Sequence, residues 1–114
     1  MKNKPDSQNE SEFYEGIQLY RDDIELILSI FHENKYTTQI TDKEFQFDSL
    51  DELIDKRGIT PTDFEINGKR EENIFEYIRI SFNKKQIYIQ SNSYEYPQGK
   101  VIFAQIRDIC ESRM

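Results

Sequence analysis

The sequence is poor in cysteine, histidine and glycine and has no tryptophan, and each shortage removes a class of function. Its 114 residues include one cysteine, Cys110, and one histidine, His32. A single cysteine cannot form an intrachain disulfide. One cysteine and one histidine do not supply the ligand spacing of a zinc site. The four glycines are too scattered for a phosphate-binding loop, and no calcium-binding loop occurs. We therefore expect no disulfide, no metal and no cofactor.

Long apolar runs are also missing. The first twelve residues are mostly polar or charged, and no stretch of about 18 apolar residues, the length of a membrane span, occurs. A single cysteine gives no sign of an oxidising compartment. These absences predict a cytoplasmic protein without a membrane partner.

No group of residues has the pattern of a catalytic site. Cys110 shares an apolar helical stripe with Ile102 and Ile106, where a cysteine usually acts as a small inert apolar residue. His32 falls near a predicted helix end, where a positive imidazole is stabilised without any catalytic role. We predict that the protein is not an enzyme.

The charge is strongly negative and unevenly distributed. The formal net charge is −7, and residues 42–76 contain eleven acidic and five basic residues, whereas 77–114 contain three acidic and six basic ones. A negative domain is repelled by a phosphate backbone, so the composition disfavours nucleic-acid binding in general.

Periodicity predicts an α+β fold. Residues 1–12 lack apolar periodicity and are expected to form a disordered polar tail, followed by a single domain at 13–114. The predicted elements are a strand at 16–20, a helix at 22–34, strands at 36–41 and 44–47, a helix at 49–57, strands at 63–66, 74–82 and 86–91, and a helix from Pro97. Because this β-α-β-β-α-β-β-β-α order contains no β-α-β alternation, we expect one antiparallel sheet with helices packed on a face.

Local signals support several of these boundaries. Asp42-Lys43 is a turn between two short strands, and Asn67-Gly68 is the strongest hairpin signal in the chain. Ser49 and Glu52 have the spacing of a capping box at the start of a helix, and Gly58 is suited to its end.

Two features favour recognition of another protein. The acidic stretch at 42–76 can attract a basic partner, and tyrosines in a loop supply contact area at low entropic cost. The predicted partner-binding residues are Asp51, Glu52, Asp55, Tyr94 and Tyr96. The leading hypothesis is a small non-catalytic binding or regulatory module, with an inhibitor or immunity-type protein as one variant.

The alternative is a binder of single-stranded nucleic acid or of a small ligand, which would use the sheet surface of the basic C-terminal third. Cations beside aromatic rings are what single strands bind. The predicted residues are Arg79, Lys84, Lys85 and Tyr88. A homodimer also remains open, because periodicity does not distinguish a face buried in the monomer from one buried between subunits.

Overall fold

The structure is a computed structural model that describes residues 10–92 and 97–114. Within these ranges the chain forms six strands and three helices. They are β1 (Glu10–Glu15), α1 (Arg21–Glu33), β2 (Tyr36–Thr41), β3 (Gln46–Phe47), α2 (Leu50–Arg57), β4 (Phe64–Arg70), β5 (Asn73–Asn83), β6 (Gln86–Ser91) and α3 (Pro97–Glu111). The α+β class and the predicted order of elements are confirmed.

All six strands belong to one antiparallel sheet with the spatial order β1-β6-β5-β4-β2-β3. The long strand β5 lies near the centre and shows the expected alternation. Ile78 and Ile80 are fully buried, whereas Arg79 between them is exposed. The sheet therefore has an apolar side, which forms the core, and a polar side, which we call the open face.

The helices pack on the apolar side of the sheet. α1 and α3 contact each other, and α2 lies beside β3. Their buried residues include Ile24, Ile27, Ile30 and Phe31 in α1, Leu50 and Leu53 in α2, and Ile102, Phe103, Ile106 and Cys110 in α3. No helix in the described ranges is both long and apolar enough to cross a bilayer.

The first strand begins earlier than the sequence predicts. The strand expected at 16–20 is wrong, because Gly16 has a φ of +79° and the chain leaves the sheet there. Ile17 and Leu19 are nevertheless buried, in a loop that packs on the core, which explains their strand-like alternation. The strand is instead Glu10–Glu15, which pairs with β6. The predicted tail boundary at residue 12 is therefore too far along the chain.

The turn predicted at Asn67-Gly68 is also wrong. Both residues lie inside β4, and the turn to β5 follows at Glu71-Glu72. Gly68 faces the core, where the ring of Phe31 occupies the space that a side chain would need. The glycine therefore allows a helix residue to approach the sheet closely. An Asn-Gly pair looks the same in the sequence whether it forms a turn or permits such a contact within a strand.

The predicted turn at Asp42 is confirmed, and the predicted capping box at Ser49 and Glu52 is confirmed in its serine half. Asp42 Oδ1 accepts hydrogen bonds from the backbone N–H groups of Glu44 and Phe45, both at 2.8 Å, and so closes the turn between β2 and β3. Ser49 Oγ accepts the N–H of Glu52 at 3.1 Å and caps α2. The Glu52 carboxylate accepts the backbone N–H of Asp48, whereas a complete capping box would have it accept the backbone N–H of Ser49.

Candidate functional site

Four exposed carboxylates are grouped at α2, three on the helix itself and one on the residue that precedes its cap. We call this set the acidic stripe, and it consists of Asp48, Asp51, Glu52 and Asp55. Three of the four, Asp51, Glu52 and Asp55, lie on the side of α2 opposite Leu50 and Leu53, which are buried in the core. Asp48 lies in the extended chain before the cap, where it is exposed and its backbone N–H donates to the Glu52 carboxylate. The stripe therefore projects into solvent as a consequence of the same periodicity that buries the leucines.

The stripe is only partly neutralised. Asp51 makes an ion pair with Arg21 of α1, and its side chain is still 68% exposed. Asp48, Glu52 and Asp55 make no ion pair with the residues that the structure describes. The first-turn acids also face the positive N-terminal end of α2, so they stabilise the helix as well as charging its surface.

The remaining acids of the 42–76 stretch are dispersed and mostly bound by arginine. Arg57 contacts Asp42 at 2.7 Å and Glu44 at 3.2 Å. The hydrogen bond from Arg57, assisted by the two turn N–H groups, lowers the pKa of Asp42 to about 2. At the opposite end of β4, Arg70 contacts Glu72 and Glu76. The acidic stretch is thus not one surface. Asp63 and Glu71 are exposed individually, and α2 is where exposed carboxylates are grouped.

Of the five predicted partner-binding residues, Asp51, Glu52 and Asp55 lie together on α2. Tyr94 and Tyr96 lie outside the described residues. The part of the prediction that can be located is therefore the helix rather than the tyrosine loop.

The residues of the alternative prediction do not form one surface. Arg79 and Tyr88 lie on the open face, whereas Lys84 and Lys85 form the turn between β5 and β6. The Arg79 guanidinium donates to Asn67 Oδ1 at 3.0 Å and lies 5.7 Å from the centre of the Tyr77 ring. This arginine is already bound within the open face, while the two lysines are displaced to its end.

A pocket that was not expected from the sequence lies beside those lysines. Its volume is about 220 Å³, and it lies between the loop after β1, the end of α2 and the β5–β6 turn. The apolar lining includes Ile17, Leu19, Leu50, Ile54, Phe64 and Phe82. Ile59, which is 85% exposed, lies at the same pocket. Its isolation in the loop after Gly58 is the only sequence signal that could have indicated an apolar surface there.

The single cysteine and histidine do not make a nucleophile and base. Cys110 is fully buried, and this burial, together with the charges of Asp23 and Glu111, raises the pKa of its thiol to about 12. His32 Nε2 lies 3.0 Å from Thr38 Oγ at an exposed position. Within the described ranges no group of three or more His, Cys, Asp or Glu side chains is arranged to hold a metal ion.

One carboxylate is fully enclosed. Glu76 accepts a hydrogen bond from the Tyr36 hydroxyl at 2.5 Å and from Arg70 at 3.2 Å. Across the described part of the chain, every fully buried side-chain nitrogen or oxygen has a hydrogen-bond partner. Glu76 is therefore a satisfied structural acid that ties β2, β4 and β5 together.

Comparison with known proteins does not assign the chain to a family. It matches no protein-family model, and no curated protein is significantly similar to it in sequence.

Proposed function

We propose that this protein is a non-catalytic, cytoplasmic binding module that engages a basic protein partner through the acidic stripe of α2. The observation that supports this function is the alignment of Asp51, Glu52 and Asp55 on one solvent-facing side of a capped helix, with Asp48 exposed just before the cap. An inhibitor or immunity-type protein, which covers a basic site on its target, is the specific form that this arrangement would suit.

The physical basis is electrostatic complementarity on a rigid support. Burial of Leu50 and Leu53 fixes the backbone of α2, so no segment has to fold when the carboxylates are bound, and only their side chains lose freedom. Exposed like charges raise the rate of encounter with an oppositely charged surface and make binding sensitive to salt. The core position of Cys110 and the raised pKa of its thiol favour such a role over covalent catalysis.

The test is a tagged pull-down from a lysate of the native host at low and high salt. The test variant is Asp51→Asn/Glu52→Gln/Asp55→Asn, which removes charge without placing lysines at the N-terminal end of a helix. The matched control is Glu15→Gln/Glu33→Gln/Asp108→Asn, which removes three exposed carboxylates from β1, α1 and α3. Both variants have the same formal charge.

We expect the wild type and the control to retain a stoichiometric basic protein at low salt and the stripe variant to lose it. With the purified partner, the stripe variant should bind about tenfold more weakly, since exposed charge pairs contribute up to about 1 kcal/mol each. Equal retention by all three folded proteins would rule out the acidic stripe as the binding surface. Self-association through a homodimer is checked in the same samples by sedimentation equilibrium.

A further inference from the structure

The pocket beside the β5–β6 turn combines an apolar interior with a positively charged edge. Its floor includes the rings of Phe64 and Phe82, which stack with centroids 4.4 Å apart and planes 7° from parallel. One wall is the core side of α2, and another is the buried loop that contains Ile17 and Leu19. At about 220 Å³ it exceeds the roughly 150 Å³ apolar cavity that is known to hold benzene.

The charge around the pocket has the opposite sign to that of the whole chain. The chain has a net charge of −7, yet among the described residues the charged ones that line the pocket are Arg21, Lys84 and Lys85, without a carboxylate. Arg21 is neutralised by Glu25 and Asp51. Lys84 and Lys85 are exposed and make no ion pair with a described residue, so two uncompensated cations remain at the opening.

We propose that this pocket binds a small anionic amphiphile, a free carboxylate with an apolar chain or ring of about eight to ten carbons, whose head contacts Lys84 and Lys85. The chain lies against Phe64, Phe82 and Ile54, and the head remains at the solvent edge, so no charge is buried without a partner. Ile59, exposed at the same pocket, gains cover when the ligand is bound. This site uses no residue of the acidic stripe as a contact and does not depend on the protein-binding function proposed above.

The test is a titration of the isotope-labelled full chain with decanoate, followed by amide chemical shifts and kept below the micelle concentration. Decylammonium, with the same chain and the opposite charge, is the matched ligand. We expect decanoate to shift the amides of Ile59, Phe82, Lys84 and Lys85 in a saturable way and to bind at least about tenfold more tightly than decylammonium.

A pair of variants tests whether Lys84 and Lys85 are the cations that bind the head group of the ligand. Lys84→Gln/Lys85→Asn removes both cations, and asparagine is chosen at 85 because that residue has a φ of 56°. Lys43→Gln/Lys69→Gln removes two exposed cations outside the pocket, one from the β2–β3 turn and one from β4. The first variant should weaken decanoate binding about five- to tenfold, and the second should leave it unchanged.

Three results would overturn the proposal. They are the absence of saturable shifts in a folded spectrum, equal binding of the anion and the cation, and an equal loss in both lysine variants. A short apolar peptide with a free carboxyl end that binds more tightly than decanoate would overturn the assignment to a free amphiphile, because it would identify a chain terminus as the ligand.

Discussion

Phe31 of α1 occupies the position where any residue other than glycine at 68 would carry its side chain. A Cβ added at Gly68 would lie 2.5 Å from Cδ1 of Phe31 and 2.9 Å from Cζ. The Phe31 ring cannot easily move away, because it is fully buried and also contacts the Tyr36 ring at a centroid distance of 5.9 Å. The absence of one side chain therefore sets how closely α1 approaches β4.

Gly68→Ala should destabilise the protein by about 1–3 kcal/mol, because the methyl group forces the Phe31 ring out of a filled site. Urea unfolding measures the loss. Phe31→Leu in the same chain should recover part of it, giving a favourable coupling energy of about 1 kcal/mol in a double-mutant cycle. Additive effects of the two changes would contradict the steric explanation.

The same contact shows where sequence reasoning succeeds and where it fails. The buried face of β5 and the stripes of α1 and α3 follow from periodicity, because each element buries one side. Asn67-Gly68 was predicted to be a turn because local chemistry cannot reveal a ring that arrives from 37 residues earlier in the chain. β1 was missed for a related reason, since an edge strand with one buried side chain, Tyr14, depends on backbone pairing with β6.

The Asp42 turn should make the protein less stable at low pH. Its pKa is about 2 in the folded protein and 3.8 as an ordinary carboxyl group, so the folded state favours the charged form. The stabilisation is complete above about pH 4 and is lost as the pH falls through the pKa of Asp42 in the folded protein. We expect the free energy of unfolding to decrease between about pH 4 and pH 2 and Asp42→Asn to flatten that decrease.

The matched comparison for this turn is Asp55→Asn, since Asp55 makes no ion pair with the described residues. Because this change leaves the Asp42 turn intact, the decrease in the free energy of unfolding between about pH 4 and pH 2 should persist. Chemical unfolding at a series of pH values measures all three proteins. An identical slope for Asp42→Asn and the wild type would show that the turn does not cause the acid sensitivity.

Arg113, near the end of the chain, is expected to matter for stability more than its exposure suggests. Its guanidinium makes two 3.0 Å hydrogen bonds with Asp23, whose side chain is only 11% exposed. Burial raises the pKa of Asp23, but the bonds from Arg113 and the Tyr20 N–H outweigh it, and the net pKa is lowered. Arg113→Ala should therefore raise the pKa of Asp23 and destabilise the protein by about 1–2 kcal/mol at neutral pH.

Arg107→Ala is the control, because Arg107 lies on α3 with almost the same exposure, 42% against 41%. Its contacts with Glu12 and Glu111 are 4.0 and 3.8 Å long, so its loss should cost less than about 0.5 kcal/mol. Titration of the Asp23 carboxyl by NMR and urea unfolding provide the two measurements. Similar losses in both variants would contradict a special role for the Asp23 pair.

The candidate site was only half predictable. The acidic stripe follows from residue spacing once α2 is recognised, because its capping serine and buried leucines fix which side faces solvent. The pocket could not be predicted, since its walls come from four separated segments and its lysines were assigned to the open face. The turn at residues 84 and 85 separates these lysines from Arg79 on the open face.

Cys110 should be chemically silent until the protein unfolds. Its side chain is fully enclosed by the core, and the pKa of its thiol is about 12, chiefly because of burial. At about pH 8 such a thiol is ionised to about one part in ten thousand, and alkylation requires the thiolate. The folded protein should react with iodoacetamide at least about a hundredfold more slowly than the chain in denaturing urea.

Mass spectrometry of timed samples gives both rates on the same preparation. A variant with an exposed thiol, Ser112→Cys/Cys110→Ala, serves as the positive control, because residue 112 is exposed and directly follows the end of α3. It should react in the folded state at a rate close to that of the unfolded wild type. Rapid labelling of native Cys110 would mean that α3 opens readily, and the core packing described above would then not hold this helix in place.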